Sequence, residues 1–233
     1  MNSKSENLKN GSIHHNLSVV KIADEFEGYP VETFFTCEKL KEDLDHVLVT
    51  GGMIKDRIRV MAHNIAKTYG PNKFTLLCVL KGGYYFFSEI VDALKSIAHN
   101  SSENKPEFSV EFIRLKSYVN DSSSGDVRIF NPEVLQTLVG KDVLIIEDII
   151  DSGLSMHCLM KKLDSVGVKS VKVAVMMVKR NPVNTFIPDF IGFEIPDAFV
   201  VGCNLDYNEQ FRNLQHVCVI SDLGKKKYAH VKA

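Results

Sequence analysis

In the run VLIIEDIIDSGLSM, Val143 to Met156, two carboxylates follow an apolar stretch of buried-strand character and a third opens the turn beyond it. Glu147 and Asp148 end the strand, and Asp151, Ser152, Gly153 and Ser155 put a carboxylate, a permissive glycine and two hydroxyls into one short segment. A helix starting near Gly153 leaves its first N–H groups without intrahelical partners, and its dipole favours negative charge there. With the hydroxyls of Ser152 and Ser155 as extra donors, the turn is suited to cradling a phosphate. The acids would repel that phosphate unless they faced vicinal hydroxyls or a metal ion. A sugar phosphate meets both demands. The plainer alternative is that Asp151 or Ser152 only caps the next helix, which leaves the acids on a buried strand without a task.

Such a turn needs a sheet to hold it. GGMIKDRIRVMAHNIAKTYGP carries Ile54, Ile58, Met61, Ala62 and Ile65 at helical spacing and stops at Gly70-Pro71. FTLLCVL, Phe74 to Leu80, is an apolar run suited to a strand covered on both faces, and KGGYYFFSEIVDALKSI returns to helical periodicity after two glycines. FSVEFIRLKSY predicts another strand, NDSSSGDVRIF a polar connection, and KDVLIIE the strand that delivers the acids. A helix from Leu154 toward Val166 and a strand in GVKSVKVAVMMVKR follow. Alternating strands and helices predict an α/β fold with a mainly parallel sheet flanked by helices. Ligands in such sheets gather beyond the carboxyl ends of the strands, where the acidic turn lies. From Asn181 onward, Pro182, Pro188 and Pro196 interrupt short apolar pieces and predict a small irregular extension.

Composition narrows the partners. The chain has 233 residues, 45 % of them apolar, and a net charge of −1, enough for a full core but without a global field for nucleic acid or an anionic membrane. The cluster Lys225-Lys226-Lys227 reads as a solvated tail, and residues 1–15 as a polar, flexible leader in which the adjacent His14 and His15 carry no metal-site pattern. No apolar run approaches membrane-spanning length. The five cysteines, Cys37, Cys78, Cys158, Cys203 and Cys218, form no C-x-x-C pair, and three lie in apolar runs, which predicts reduced thiols and a cytoplasmic protein. Neither G-x-x-x-x-G-K-[ST] nor a helix-opening G-x-G-x-x-G is present, which excludes the Walker-A and Rossmann readings.

The acidic run resembles the phosphoribosyl pyrophosphate motif of type I phosphoribosyltransferases, an apolar strand leading to paired acids and a D-[ST]-G turn. LCVLKGGYYFF at Leu77 to Phe87, EFIRLKSY at Glu111 to Tyr118, VKR at Val178 to Arg180 and DFIGFEIPDAFVVGCNLDYNEQFRNL at Asp189 to Leu214 extend the likeness to the hypoxanthine-guanine phosphoribosyltransferases. It runs from about residue 20 to about residue 228. The resemblance implies a single domain: a five-stranded parallel core over about 38–180, and a small hood over the strand ends from about 16–37 and 181–233. It implies a salvage reaction joining N9 of hypoxanthine or guanine to C1′ of phosphoribosyl pyrophosphate, with Mg²⁺ as cofactor. It also implies small-molecule substrates, no nucleic acid or membrane partner, and a homodimer or homotetramer.

By the same resemblance Asp151, Ser152, Gly153, Leu154 and Ser155 hold the 5′-phosphate, and Glu147 and Asp148, with Ile149 and Ile150 beside them, approach the ribose, directly or through metal-bound water. Asp151 is the expected catalytic acid or base at purine N7. Lys81 and Gly82 face pyrophosphate at a loop expected to open on a cis Leu80–Lys81 bond, and Arg212 reaches the same group. Lys179, Phe199, Val200 and Asp206 form the base site, with Asp206, Glu147 and Asp148 as metal ligands. Ser117 and Tyr118 begin a closing loop that runs through Asn120 to Gly125, where an exposed hairpin is the alternative. Leu154 stands where the family often has Lys, and Ser152 and Ser155 where it often has Thr. A regulator that senses phosphoribosyl pyrophosphate, or an interaction protein keeping only the scaffold, are the alternatives from other classes. Lys179, Phe199 and Asp206 count against the sensor, and a nucleotide-formation assay separates all three.

Overall fold

The computed structural model describes residues 19–100, 105–117 and 127–229. The leader and most of the expected closing loop, Tyr118 included, lie outside them. In chain order the elements begin with β1 (Val20–Lys21), α1 (Glu38–Asp43), β2 (Leu44–Val49), α2 (Gly51–Tyr69), β3 (Phe74–Leu80) and α3 (Tyr84–Asn100). β4 (Phe108–Ser117), β5 (Val127–Ile129), α4 (Val134–Thr137), β6 (Asp142–Ile150) and α5 (Leu154–Val166) come next. β7 (Ser170–Lys179), β8 (Phe190–Ile195), β9 (Val200–Val201), β10 (Val217–Ile220) and α6 (Asp222–Lys227) complete the chain.

The larger sheet runs β1-β8-β7-β6-β3-β4-β5, parallel throughout except for the antiparallel β4–β5 edge. The family likeness implied five core strands. Among the described residues this sheet has seven, because the short β1 and β5 extend its two edges. β6 is buried almost end to end because helices cover both faces. Leu144 and Ile146 join the cluster containing α2 and α3 residues, whereas Val143 and Ile145 join the one containing α4 and α5 residues. This two-sided burial explains the near-continuous apolar runs of β3, β6 and β7. α2 begins as its sequence requires: Thr50 Oγ1 accepts from Met53 N–H at 3.3 Å.

A second, antiparallel sheet, β2-β10-β9, has its own core of Val31, Leu44, Val47, Val201, Phe211, Leu214, Cys218 and Ile220. Strand pairing therefore cuts across the core and hood ranges read from the sequence. Leu44–Val49, within the range read as core, pairs with β10 in the small sheet, and Phe190–Ile195, within the range read as hood, pairs with β7 in the large one. Pro188 and Pro196 flank β8 without entering it, so its N–H groups stay available to the ladder. No helix among the described residues is long and apolar enough to cross a membrane.

Candidate active site

Parallel pairing brings the carboxyl ends of β3, β6 and β7 together. Ile150 lies opposite Val178, so the next residues along each strand, Asp151 and Lys179, meet although they are 28 positions apart. Beyond these ends opens a cleft of about 460 Å³ lined by Lys81, Gly82, the continuous run Glu147–Met156, Asp206 and Arg212, with Val79, Leu80 and Leu115 at its base.

The turn is shaped for close approach. Gly153 has φ +77°, and a Cβ there would stand 2.7 Å from both Asn184 Oδ1 and Phe186 Cβ, so no other residue fits. α5 starts at Leu154 with Gly153 as its N-cap residue and no side-chain cap. The capping alternative therefore does not describe this turn. Ser152 Oγ reaches Leu154 N–H only at 3.5 Å, and Asp151 is engaged elsewhere. A Ser or Asp cap is worth about 0.5–2 kcal/mol; α5 forgoes it and keeps its amino-terminal dipole directed at the cleft.

Glu147 and Asp148 are buried side by side, 9 % and 8 % exposed. Glu147 Oε1 accepts from Asp148 N–H at 3.1 Å and Asp148 Oδ1 from Ile149 N–H at 2.7 Å. Burial, together with the neighbouring Asp148 charge, pushes Glu147 well above the usual carboxylate range. Burial likewise raises Asp148 despite its hydrogen bonds and the nearby Arg212. A pair of this kind favours a ligand that donates hydroxyl hydrogens or brings positive charge. Gly82 is required by this pair, since a Cβ there would stand 1.7 Å from Asp148 Oδ2. The Leu80–Lys81 peptide bond that precedes it is cis.

Asp151 has the opposite environment. Lys179 Nζ donates to its Oδ2 at 2.9 Å and Asn181 Nδ2 to its Oδ1 at 2.6 Å. Partial burial works against its charge, but these two donors and the lysine charge outweigh it, and its pKa is lowered. Lys179 is itself 10 % exposed, lies 3.8 Å from Asp197 Oδ1, and sits 5.8 Å from the centre of the Phe199 ring. Phe199 is 43 % exposed and packs edge-on against Tyr207. Val200 is buried in β9 beside them.

On the other wall Arg212 is ion-paired with Asp206 Oδ1 at 2.7 Å and donates to Asn204 O at 2.7 Å. Asn204 Nδ2 in turn donates to the carbonyls of Lys81 and Gly82, joining the hood to the loop after β3. Among the described residues no three His, Cys, Asp or Glu side chains gather as a metal cage. Asp206, Glu147 and Asp148 thus do not form a closed protein site. They suit a hard cation that takes its remaining oxygens from a substrate and water, the common arrangement for Mg²⁺ with phosphates. Ser117 ends β4 and is the one described residue of the two assigned to the closing loop. Asn181, Asn204 and Glu209 were missed by the sequence reading. The left-handed φ values of Asn204 and Glu209, +76° and +66°, mark an unusual turn, but spacing alone does not disclose it.

A phosphoribosyl transferase domain model matches residues 48–208. The chain is 48 % identical over 210 residues to the hypoxanthine-guanine phosphoribosyltransferase of Homo sapiens, covering 90 % of this chain and 96 % of that protein. The chain belongs to the hypoxanthine-guanine phosphoribosyltransferase family. The Mus musculus member is also 48 % identical over the same span. The crystal structure of the Schistosoma mansoni hypoxanthine-guanine phosphoribosyltransferase in complex with IMP is similar, with TM-score 0.76 and 41 % identity, covering 91 % of this chain and 99 % of that one. The α/β fold expected from the alternation of strands and helices, and the family membership expected from the acidic run together with the other four segments, are thereby established.

Proposed function

We propose that the cleft carries out this family's purine-salvage reaction with Asp151 and Lys179 at its centre. The enzyme is a pentosyltransferase: it moves the 5-phosphoribosyl group of phosphoribosyl pyrophosphate to N9 of hypoxanthine or guanine, giving IMP or GMP and pyrophosphate. The observation that carries the residue assignment is the Asp151–Lys179 pair, a depressed carboxylate and an ammonium 2.9 Å apart beside an uncapped helix start.

As N9 bonds to C1′, the C1′–oxygen bond breaks and pyrophosphate leaves with the electron pair. The N7 proton passes to Asp151, whose ionised carboxylate is ready to accept it. Lys179 only donates hydrogen bonds, which suits the 6-oxo group of hypoxanthine and guanine and not the 6-amino group of adenine. Phe199 stacks on the purine, and the Val200 carbonyl accepts from N1–H and the guanine 2-amino group. Amides and hydroxyls from Ser152 to Ser155 hold the 5′-phosphate, with Leu154 contributing its backbone. Glu147 and Asp148 hold the ribose hydroxyls and face the positive charge that builds at C1′, the kind of preorganised electrostatic stabilisation that is usually the largest catalytic contribution. Lys81, Gly82 and Arg212 receive pyrophosphate.

A divalent metal serves this family, and we assign it as Mg²⁺ held by Asp206 with help from Glu147 and Asp148. When bound, such an ion neutralises charge on the leaving pyrophosphate. A reduced cytoplasmic setting and a homodimer or homotetramer complete the assignment. The first is supported by the five cysteines, none of them in a disulfide, of which Cys78, Cys203 and Cys218 are buried with thiols pushed up to about 12. The test is nucleotide formation from each purine. Asp151→Asn should lower turnover by about 10²- to 10⁴-fold with the circular dichroism spectrum unchanged, and normal turnover would remove Asp151 from the role.

A further inference from the structure

Glu209 has no task in the reaction described above, yet this exposed carboxylate engages two cations that line the cleft, Lys81 and Arg212. Its Oε2 accepts from Lys81 Nζ at 3.0 Å and from Arg212 Nε at 3.3 Å, while its Oε1 accepts from Arg212 Nη2 at 3.3 Å. The guanidinium thus presents two N–H groups to one carboxylate, the fork geometry by which arginine also recognises phosphate oxygens. Lys81 lies on the loop after β3 and Glu209 on the turn before β10, so the contact joins two segments far apart in the chain.

The hood turn is built to deliver this carboxylate. Glu209 adopts φ +66°, a left-handed conformation unfavourable to a side chain, and its N–H donates to Asp206 Oδ2 at 2.8 Å. Arg212 donates from Nη1 to the Asn204 carbonyl, while Nε and Nη2 face Glu209, with Nη2 also ion-paired to Asp206 Oδ1.

We infer that Glu209 is an internal anion that occupies the two cations assigned to pyrophosphate and must be displaced each time the substrate diphosphate binds. This rests on the proposed placement of pyrophosphate between Lys81 and Arg212. The consequence is a lowered affinity for phosphoribosyl pyrophosphate and, equally, for the pyrophosphate product. A binding site that is free only part of the time has its apparent affinity reduced by that fraction. The carboxylate then re-forms its contacts as pyrophosphate departs, which favours release.

The test is Glu209→Gln, which keeps the side-chain size and removes the charge. Magnesium pyrophosphate binding is measured by calorimetry on wild type and variant, alongside steady-state KM values for phosphoribosyl pyrophosphate and hypoxanthine. For a carboxylate 60 % exposed, exposed ion pairs of this kind imply a tightening of about 3- to 10-fold for pyrophosphate and phosphoribosyl pyrophosphate. The hypoxanthine KM should stay within about 2-fold, a split that loss of general structure would not produce. Glu209→Asp keeps the charge but is too short to span both cations, and should fall between the two. Unchanged or weaker pyrophosphate binding in Glu209→Gln overturns the inference, weaker binding meaning that Glu209 instead orients Lys81 and Arg212 for the ligand. Absence of nucleotide formation by the wild type would reject the reading of the site itself and the inference with it, whereas active wild type with no tightening rejects the inference alone.

Discussion

Replacing Lys179 by Ala tests the proposed link between proton transfer and base selection. In the structure its side chain is 10 % exposed, and its ammonium lies 2.9 Å from Asp151, 3.8 Å from Asp197 and 5.8 Å from the centre of the Phe199 ring. Once a 6-oxopurine is bound, the alanine variant lacks one charge-assisted hydrogen bond to O6. Such bonds are worth about 1.5–3 kcal/mol, or about 10- to 150-fold in kcat/KM at 1.36 kcal/mol per tenfold. Asp151, with half its side chain exposed, is rescued by water, so the larger penalties of a fully buried orphan charge do not apply. Loss of the lysine raises the Asp151 pKa from its lowered value, because the ammonium is one of the causes that lower it. The acid limb of the pH profile of kcat/KM should therefore move to higher pH. The assay is kcat/KM for hypoxanthine, guanine and adenine across pH for wild type and Lys179→Ala, with phosphoribosyl pyrophosphate KM as the control. Wild type should reject adenine by about 10⁴-fold or more, and the variant should lose activity with hypoxanthine while binding phosphoribosyl pyrophosphate within about 3-fold. Comparable wild-type rates with adenine and hypoxanthine, or a variant that retains full hypoxanthine activity, would refute the reasoning.

Chelation of divalent metal should abolish nucleotide formation, and Asp206→Asn should raise the Mg²⁺ concentration needed for half-maximal rate; full activity in excess chelator counts against the metal assignment. Glu147 carries a raised pKa, so its contribution to stability is present at acid pH and is lost as pH rises through the folded value. Glu147→Gln should consequently be more stable than wild type near pH 7, by about 1–2 kcal/mol or a few degrees in Tm. That advantage should vanish below the ordinary carboxylate range, and phosphoribosyl pyrophosphate binding should weaken. Melting curves at several pH values decide it, and a variant less stable at neutral pH would contradict the burial argument.

Local chemistry determined much of this protein from sequence alone. The apolar run into Glu147 and Asp148 and the turn Asp151–Ser155 place a strand, a glycine-bearing bend and a helix, because periodicity and glycine act over a few residues; the helix runs Leu154–Val166 as its periodicity predicts. Tertiary structure decided what no spacing encodes. Leu44–Val49 and Phe190–Ile195 each resemble any short apolar strand, and only long-range pairing puts the first in the small sheet and the second in the large one. The partnership of Asp151 with Lys179 and Asn181 arises from register between β6 and β7, and that of Glu209 with Lys81 from a contact between segments 128 positions apart. Burial set the proton affinities: one strand end carries two carboxylates pushed up and, three residues further on, one held down. The identical acid functional group behaves in opposite ways because desolvation and neighbouring charge depend on what the whole chain brings to each position.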